Sequence, residues 1–203
     1  MARAAAAPRA WQRMLSGRRL DLLDPSPLDV EIEDIAVGLA RVARWNGQTH
    51  GPHVFSVAQH ALFVEAIARH LRDGLPPAAC LAILLHDAAE YVIGDMISPF
   101  KAVIGGSYKV IESRIQDAVM QRFSLPRALP PDIAALSKQA DVIAAHHEAV
   151  HLAGFSVKEA AQYFGKPVGL PPALLKMLEP SDVKAVEAAF RARFDLLFSQ
   201  SES

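Results

Sequence analysis

The stretch Pro77-Ala78-Ala79-Cys80-Leu81-Ala82-Ile83-Leu84-Leu85-His86-Asp87-Ala88-Ala89-Glu90-Tyr91-Val92-Ile93-Gly94 decides how the rest of the chain is read. Pro77 suits the first turn of a helix, where its missing amide proton has no partner to lose, and Gly94 suits the helix end. The run is apolar up to Leu85 and then turns polar at His86-Asp87. On one helix these two side chains lie about 100° apart, so they converge only on something held between them. Glu90 follows His86 by four residues and Asp87 by three, which puts all three on roughly one side. Imidazole with carboxylate suits a divalent transition metal such as Zn, Mn, Co, Ni or Fe, the remaining ligands coming from elsewhere in the fold. A further carboxylate beside a bound water is a candidate general base or acid.

Working outward, the spacing predicts a series of helices and no strand. Ile32, Ile35, Leu39 and Val42 recur at helical period behind Asp29 as a cap, in a helix that ends near Trp45-Asn46-Gly47. Residues 48–55 read as a loop. A second helix opens near Ser56 with Val57, Ala61, Val64, Ile67 and Leu71 on its buried side, and it carries His60. Residues 95–106 read as a loop and 110–123 as a helix. Another helix runs from Asp132 through Asp141 toward His151, and a last one from Ser181 as cap to Phe198, with Val183, Val186, Phe190, Phe194 and Leu197 as its stripe. The fold class is therefore all-α, a compact multi-helix bundle. Pro25, Ser26 and Pro27 set an N-terminal arm, 1–28, apart from a single domain at 29–203 whose catalytic core spans about 30–150.

Composition narrows the function. Lys and Arg number 21 against 22 Asp and Glu, so no general attraction to a nucleic acid polymer or an anionic membrane is expected, and phosphate recognition must be local. Cys80 is the single cysteine, in an apolar run where it reads as a small buried hydrophobe, and a reducing cytoplasmic setting follows. Residues 1–8 make a poor secretion signal, and no apolar stretch reaches the length that spanning a bilayer demands.

Each residue also has a plainer reading. His60 or Asp141 alone is an ordinary satisfied polar group, and His86-Asp87 alone a helix-end hydrogen-bonding feature. His146, His147 and His151 follow Asp141 on the same helix and read as solvent-exposed, a substrate contact being the other reading.

Taken together, His60, the His86-Asp87 doublet and the distant Asp141 resemble the signature of the HD-domain metal-dependent phosphohydrolases. Leu84-Leu85-His86-Asp87-Ala88-Ala89-Glu90 followed by Gly94-Asp95-Met96-Ile97-Ser98-Pro99-Phe100-Lys101 is similar to the bacterial 5′-deoxynucleotidase (YfbR-like) branch. So are Ser56-Val57-Ala58-Gln59-His60, Lys138-Gln139-Ala140-Asp141 and Ala43-Arg44-Trp45. The resemblance implies that His60, His86, Asp87 and Asp141 hold one divalent metal, since the second-metal histidines of some relatives have no counterpart between His86 and His146. It implies that Glu90 and Asp95 lie beside the attacking water and the sugar end of the substrate. Arg44 would meet the phosphate and Trp45 shape the sugar and base pocket, with Lys101 a weaker substrate contact; otherwise Arg44 is a surface charge and Trp45 a core aromatic.

Three functions stay open at this point. The first is hydrolysis of a (deoxy)nucleoside 5′-monophosphate, the second release of triphosphate from a nucleoside triphosphate, and the third nucleotide sensing without turnover. The apolar stripe of the C-terminal helix packs on its own core or on a second subunit, and the resemblance implies a homodimer.

Overall fold

The computed structural model of the protein describes residues 9–104 and 106–202, apart from the side chains at 98, 102 and 107. The alanine-rich start, 1–8, lies outside the described residues, as does residue 105 in the segment read as a loop.

The chain enters through a hairpin that the sequence pattern did not announce. Strand β1 (Trp11–Arg13) pairs antiparallel with β2 (Arg19–Asp21), Gln12 facing Leu20. Three-residue strands are too short to show alternation, and of the six residues only Leu20 is buried. Ser26 then accepts the Leu28 amide and starts a short 3-10 turn, Pro27–Asp29.

Helix α1 (Ile32–Arg41) buries Ile32, Ile35, Ala36, Leu39 and Ala40, the apolar stripe expected of it, but Glu31 and not Asp29 occupies the cap position. It also stops earlier than the spacing suggests. Val42 and Ala43 are extended, because the Val57 amide donates to Val42 O and the Arg44 amide to Phe55 O, so this segment is bridged to the start of the next helix. Arg44–Gly47 then forms a 3-10 turn in which Trp45 and Asn46 take left-handed backbone, φ 57° and 51°.

Helix α2 (Val57–Leu71), capped by Ser56 through the Gln59 amide, is the axis of the fold. Val57, Ala58 and Ala61 face one apolar cluster, while Phe63, Val64, Ile67 and Ala68 face another. A helix that is apolar nearly all round belongs inside, and each fully buried Phe or Ile there contributes about 1.5–3 kcal/mol. Helix α3 (Pro77–Leu84) begins at Pro77 as expected and buries Cys80. It does not run on to Gly94. Residues 85–89 are a turn, and a separate short helix, α4 (Glu90–Ile93), ends at Gly94, φ 78°.

Residues 95–106 are not a loop throughout: α5 (Ser98–Ile104) occupies most of them, and α6 (Gly106–Arg122) begins earlier than the expected helix. Helix α7 (Pro131–His151) follows, then α8 (Val157–Phe164), closed at its start by a reciprocal Ser156/Glu159 capping box, then the short α9 (Pro172–Leu175). The final helix, α10 (Val183–Ser201), is capped by Asp182 rather than Ser181, whose amide donates instead to Gln59 Oε1.

The packing puts α2 between α7 and α3, with α1 and α10 behind. Ile35, Leu39, Leu84, Ile115, Phe190 and Phe194 fill the first cluster; Ile133, Leu136, Ile143 and Leu152 close the second. The architecture is the all-helical bundle expected for an HD domain, with the hairpin as its addition. At one place two backbones nearly touch: a Cβ on Gly38 of α1 would lie 2.8 Å from Tyr91 Cβ and 2.9 Å from Tyr91 O on α4. No helix among the described residues is long and apolar enough to cross a membrane.

Candidate metal centre and active site

His60, halfway round the buried surface of α2, has no exposed area. Its Nδ1 lies 2.5 Å from Glu148 Oε1 on α7. A carboxylate only accepts, so Nδ1 carries a proton, and Nε2 offers a lone pair whenever the ring is neutral. That Nε2 has no hydrogen-bond partner; it lies 3.5 Å from Asp141 Oδ1 and 3.7 Å from Asp87 Oδ2. His86 repeats the arrangement. Its Nδ1 donates to Ile83 O at 2.9 Å, and its Nε2, buried and without a hydrogen-bond partner, lies 3.2 Å from Asp87 Oδ2. The two rings sit 5.4 Å apart between centroids.

His60, His86 and Asp141 each offer one ligand atom, and these atoms lie within 4.8 Å of one another, a group that could hold a metal ion. Asp87 approaches from the side of both imidazoles. Two orphaned imidazole nitrogens and two carboxylates from α2, α7 and the turn after α3 suit a cation, since a buried lone pair without a donor is otherwise costly.

The electrostatics point the same way. Burial alone would raise Asp87, yet His86, His60 and Arg44 hold its carboxyl far below the usual range. Burial also opposes ionisation of Asp141, but the imidazole of His60 beside it, with His86 and Lys138, holds its carboxyl low as well. Burial and the Arg44 charge would lower His60, but Glu148 and Asp141 outweigh them and push the imidazole up to about 10. The site holds more negative charge than its own side chains balance, and a proton on His60 is its stand-in for a cation.

Why the His-Asp doublet faces this point is a matter of the 85–89 turn. Leu85 has left the helix at φ −95°, ψ 12°, and the amides of His86, Ala88, Glu90 and Tyr91 each donate three residues back. That is 3-10 tightening, and it replaces the continuous helix expected there. Gln116 of α6 holds both ends: its Nε2 donates to Leu85 O at 2.7 Å and its Oε1 accepts the Ala89 amide at 3.0 Å.

Glu90 opens α4, is buried, and has an Oε2 with no hydrogen-bond partner. Burial, then the charges of Asp87 and Asp95, push its carboxyl up to about 9. Lys101 Nζ stands 3.7 Å from Glu90 Oε1 and 3.1 Å from Glu112 Oε1. Arg44 is neither at the surface nor free: it bridges Asp95 Oδ2 at 3.3 Å and Glu148 Oε2 at 3.2 Å. The Trp45 indole N–H donates to the same Glu148 oxygen at 3.0 Å, and the ring packs edge-on to Phe164 and against Phe155.

Beside the centre opens a cavity of about 480 Å³ with a mixed charged lining, His86, Asp87, Glu90, Glu112 and Asp117 together with Lys101, Lys109 and Arg127. Lys109 and Arg127 were not singled out from the sequence. Neither was Glu148, although it lies two helical turns after Asp141 and therefore on the same face of α7. The expected exposure of the histidines beside it is corrected: His146 and His147 are buried, His147 Nε2 lying 2.8 Å from Val168 O, and only His151 is exposed. Their burial follows from α8 packing on this end of α7.

A family model described as 5′-deoxynucleotidase YfbR-like matches residues 38–154, more than half of the chain and inclusive of every residue named above as a candidate ligand. An uncharacterized protein of Rhodobacter capsulatus is 52% identical over 191 residues, covering 93% of this chain and 96% of the relative.

Proposed function

Because this chain belongs to the YfbR-like 5′-deoxynucleotidase family, we propose that it is a metal-dependent phosphohydrolase that cleaves the phosphomonoester of a (deoxy)nucleoside 5′-monophosphate. The observation that carries this reading is the pair of buried, unpartnered Nε2 atoms of His60 and His86, set among Asp87 and Asp141 beside a cavity that Lys101, Lys109 and Arg127 help to line.

His60, His86, Asp87 and Asp141 would hold one divalent transition metal, and two imidazoles with two carboxylates fit such an ion without selecting among Zn, Mn, Co, Ni and Fe. When bound, the ion supplies positive charge against the phosphate oxygens and lowers the pKa of nearby water. The rest of the chemistry falls to this chain's own groups. Lys101, Lys109 and Arg127 draw a dianionic phosphate into the cavity, and Arg44 offsets the charge that develops on the transferring phosphoryl group. A water oxygen forms the new bond to phosphorus while the bond from phosphorus to the nucleoside O5′ breaks. Cationic charge beside it favours the ionised form of Glu90, which takes the proton released by that water and returns it to the departing O5′, while Asp95 positions that oxygen. Trp45 forms the wall for sugar and base.

The three cations of the cavity also favour a second reading, a nucleoside triphosphate as substrate with triphosphate as product. Incubating the metal-loaded protein with a panel of nucleoside mono- and triphosphates separates the two by product. Inorganic phosphate and nucleoside from the monophosphates is the expected result; triphosphate transfers the assignment to the second reading, and no product from either class overturns both.

A further inference from the structure

Glu148 has no exposed area, and its two oxygens serve two different groups of side chains. Oε1 accepts from His60 Nδ1 at 2.5 Å. Oε2 accepts from Arg44 Nη2 at 3.2 Å, Arg44 Nε at 3.4 Å and Trp45 Nε1 at 3.0 Å. A single carboxylate thus stands between the imidazole whose other nitrogen faces Asp141 and the Arg44–Trp45 pair of the 3-10 turn that follows α1. There is no water-exposed edge at which either set of bonds can relax independently of the other.

The Trp45 end is held as firmly. Its left-handed backbone, φ 57°, is unusual for an aromatic residue and persists only where the surroundings enforce it. The enforcing contacts are the indole bond to Glu148 and the rings of Phe155 and Phe164, whose centroids lie 5.8 Å and 5.6 Å away. Phe155 and Phe164 fall beyond the segment that carries the family match.

We propose that Glu148 is a positioning residue that couples the metal centre to the Arg44–Trp45 pair, so that a cation at His60 Nε2 changes the setting of the side chains that meet the nucleotide. This rests on the reading of those two groups given above. Through Oε1 it fixes the tautomer and ring plane of His60, the way an outer carboxylate orients a metal-binding imidazole. Through Oε2 it fixes Arg44 and Trp45. A displacement of the carboxylate toward the imidazole necessarily alters its bonds on the other side.

The test needs neither substrate nor turnover. In a Trp11→Phe background Trp45 is the only tryptophan, and Zn, which does not quench, is titrated into the metal-stripped protein with calorimetry and Trp45 emission read together. The unmodified site should bind Zn with a parallel change in emission. Glu148→Gln keeps size and an acceptor for His60, but its amide nitrogen cannot accept from Arg44 or Trp45. It should bind Zn roughly tenfold or more weakly and leave the emission flat. A folded Glu148→Gln protein with unchanged Zn affinity and an unchanged emission response overturns the proposal, because a merely structural role would alter stability and leave this link in place. If Glu148→Gln does not fold, Trp45→Phe takes its place: it removes only the indole donor, and a shift in calorimetric Zn affinity of about threefold supports the coupling while none overturns it. Zn bound without any emission change before mutation overturns the coupling alone, whereas no Zn binding at all overturns the metal centre and this inference with it.

Discussion

Gln116 reaches across from α6 and closes a two-point clamp on the turn that begins at Leu85, donating to Leu85 O and accepting from the Ala89 amide. Leu85 and Ala89 are buried, so these two backbone groups have no water to fall back on. The clamp, more than any local preference, is what bends the chain so that His86 and Asp87 face α2 and α7.

Replacing Gln116 by Leu should therefore act at a distance. The variant leaves a carbonyl and an amide unpaired, each worth about 1–3 kcal/mol when buried. A stability loss of that order by urea denaturation, with weaker metal binding although Gln116 is no ligand, is expected. Unchanged metal affinity in a destabilised protein would show that the turn keeps its shape without the clamp.

Ligand and proton-transfer roles separate by mutation. His86→Ala removes one orphaned nitrogen and should abolish metal binding and turnover together. Glu90→Gln should retain the metal, measured by elemental analysis of the purified protein, and lose about a hundredfold or more in kcat. Full turnover in Glu90→Gln would falsify its assignment.

The shifted groups predict how the metal-free protein responds to alkali. His60 is raised from 6.5 to about 10 and Glu90 from 4.5 to about 9, so between these limits the folded state binds more protons than the unfolded. Both contributions are fully present below the unfolded values and are lost as pH rises toward the folded ones. Chemical denaturation of the stripped protein should give lower stability at pH 9 than at pH 6, and Glu90→Gln should flatten the slope. A stability that rises across this range contradicts the assigned protonation states.

Gly38 tests the seam between α1 and α4. In an ordinary helix interior Gly→Ala stabilises by up to about 1 kcal/mol. Here the added methyl meets Tyr91 Cβ and O below 3 Å, and backbone cannot turn aside as a flexible side chain can. Gly38→Ala should destabilise the fold by about 1–3 kcal/mol of overpacking strain, seen as a lower melting temperature, and displace Glu90, the neighbour of Tyr91. A higher melting temperature would mean that the seam has slack.

These tests also trace where the sequence was legible. The helical periods behind α2 and α10 are strong because apolar residues repeat along them, and His86-Asp87 stands out where an apolar run ends at Leu85, while His60 and Asp141 gain meaning only in combination with that doublet. Leu85-His86-Asp87-Ala88-Ala89 carries no breaker, so only the tertiary clamp of Gln116 reveals the turn. The left-handed Trp45 is likewise enforced by partners distant in sequence. Residues 95–106 read as a loop, yet Pro99 stands in the first turn of α5, where proline is at home. Glu148 and the Ser156/Glu159 capping box were readable, the first from its spacing to Asp141 and the second from the pattern Ser-x-x-Glu. The run of histidines before Glu148 suggested a wetter surface than α8 allows.

The central claim is that the His60–His86 centre works by holding a divalent cation, and the most direct measurement is phosphate release from deoxynucleoside 5′-monophosphates by the metal-stripped protein, with Mn, Co, Ni or Zn restored one at a time. No release from the stripped protein, and recovery with at least one of these ions, is the expected result. Release that survives stripping undiminished, or none with any ion although the ion is bound, would contradict it.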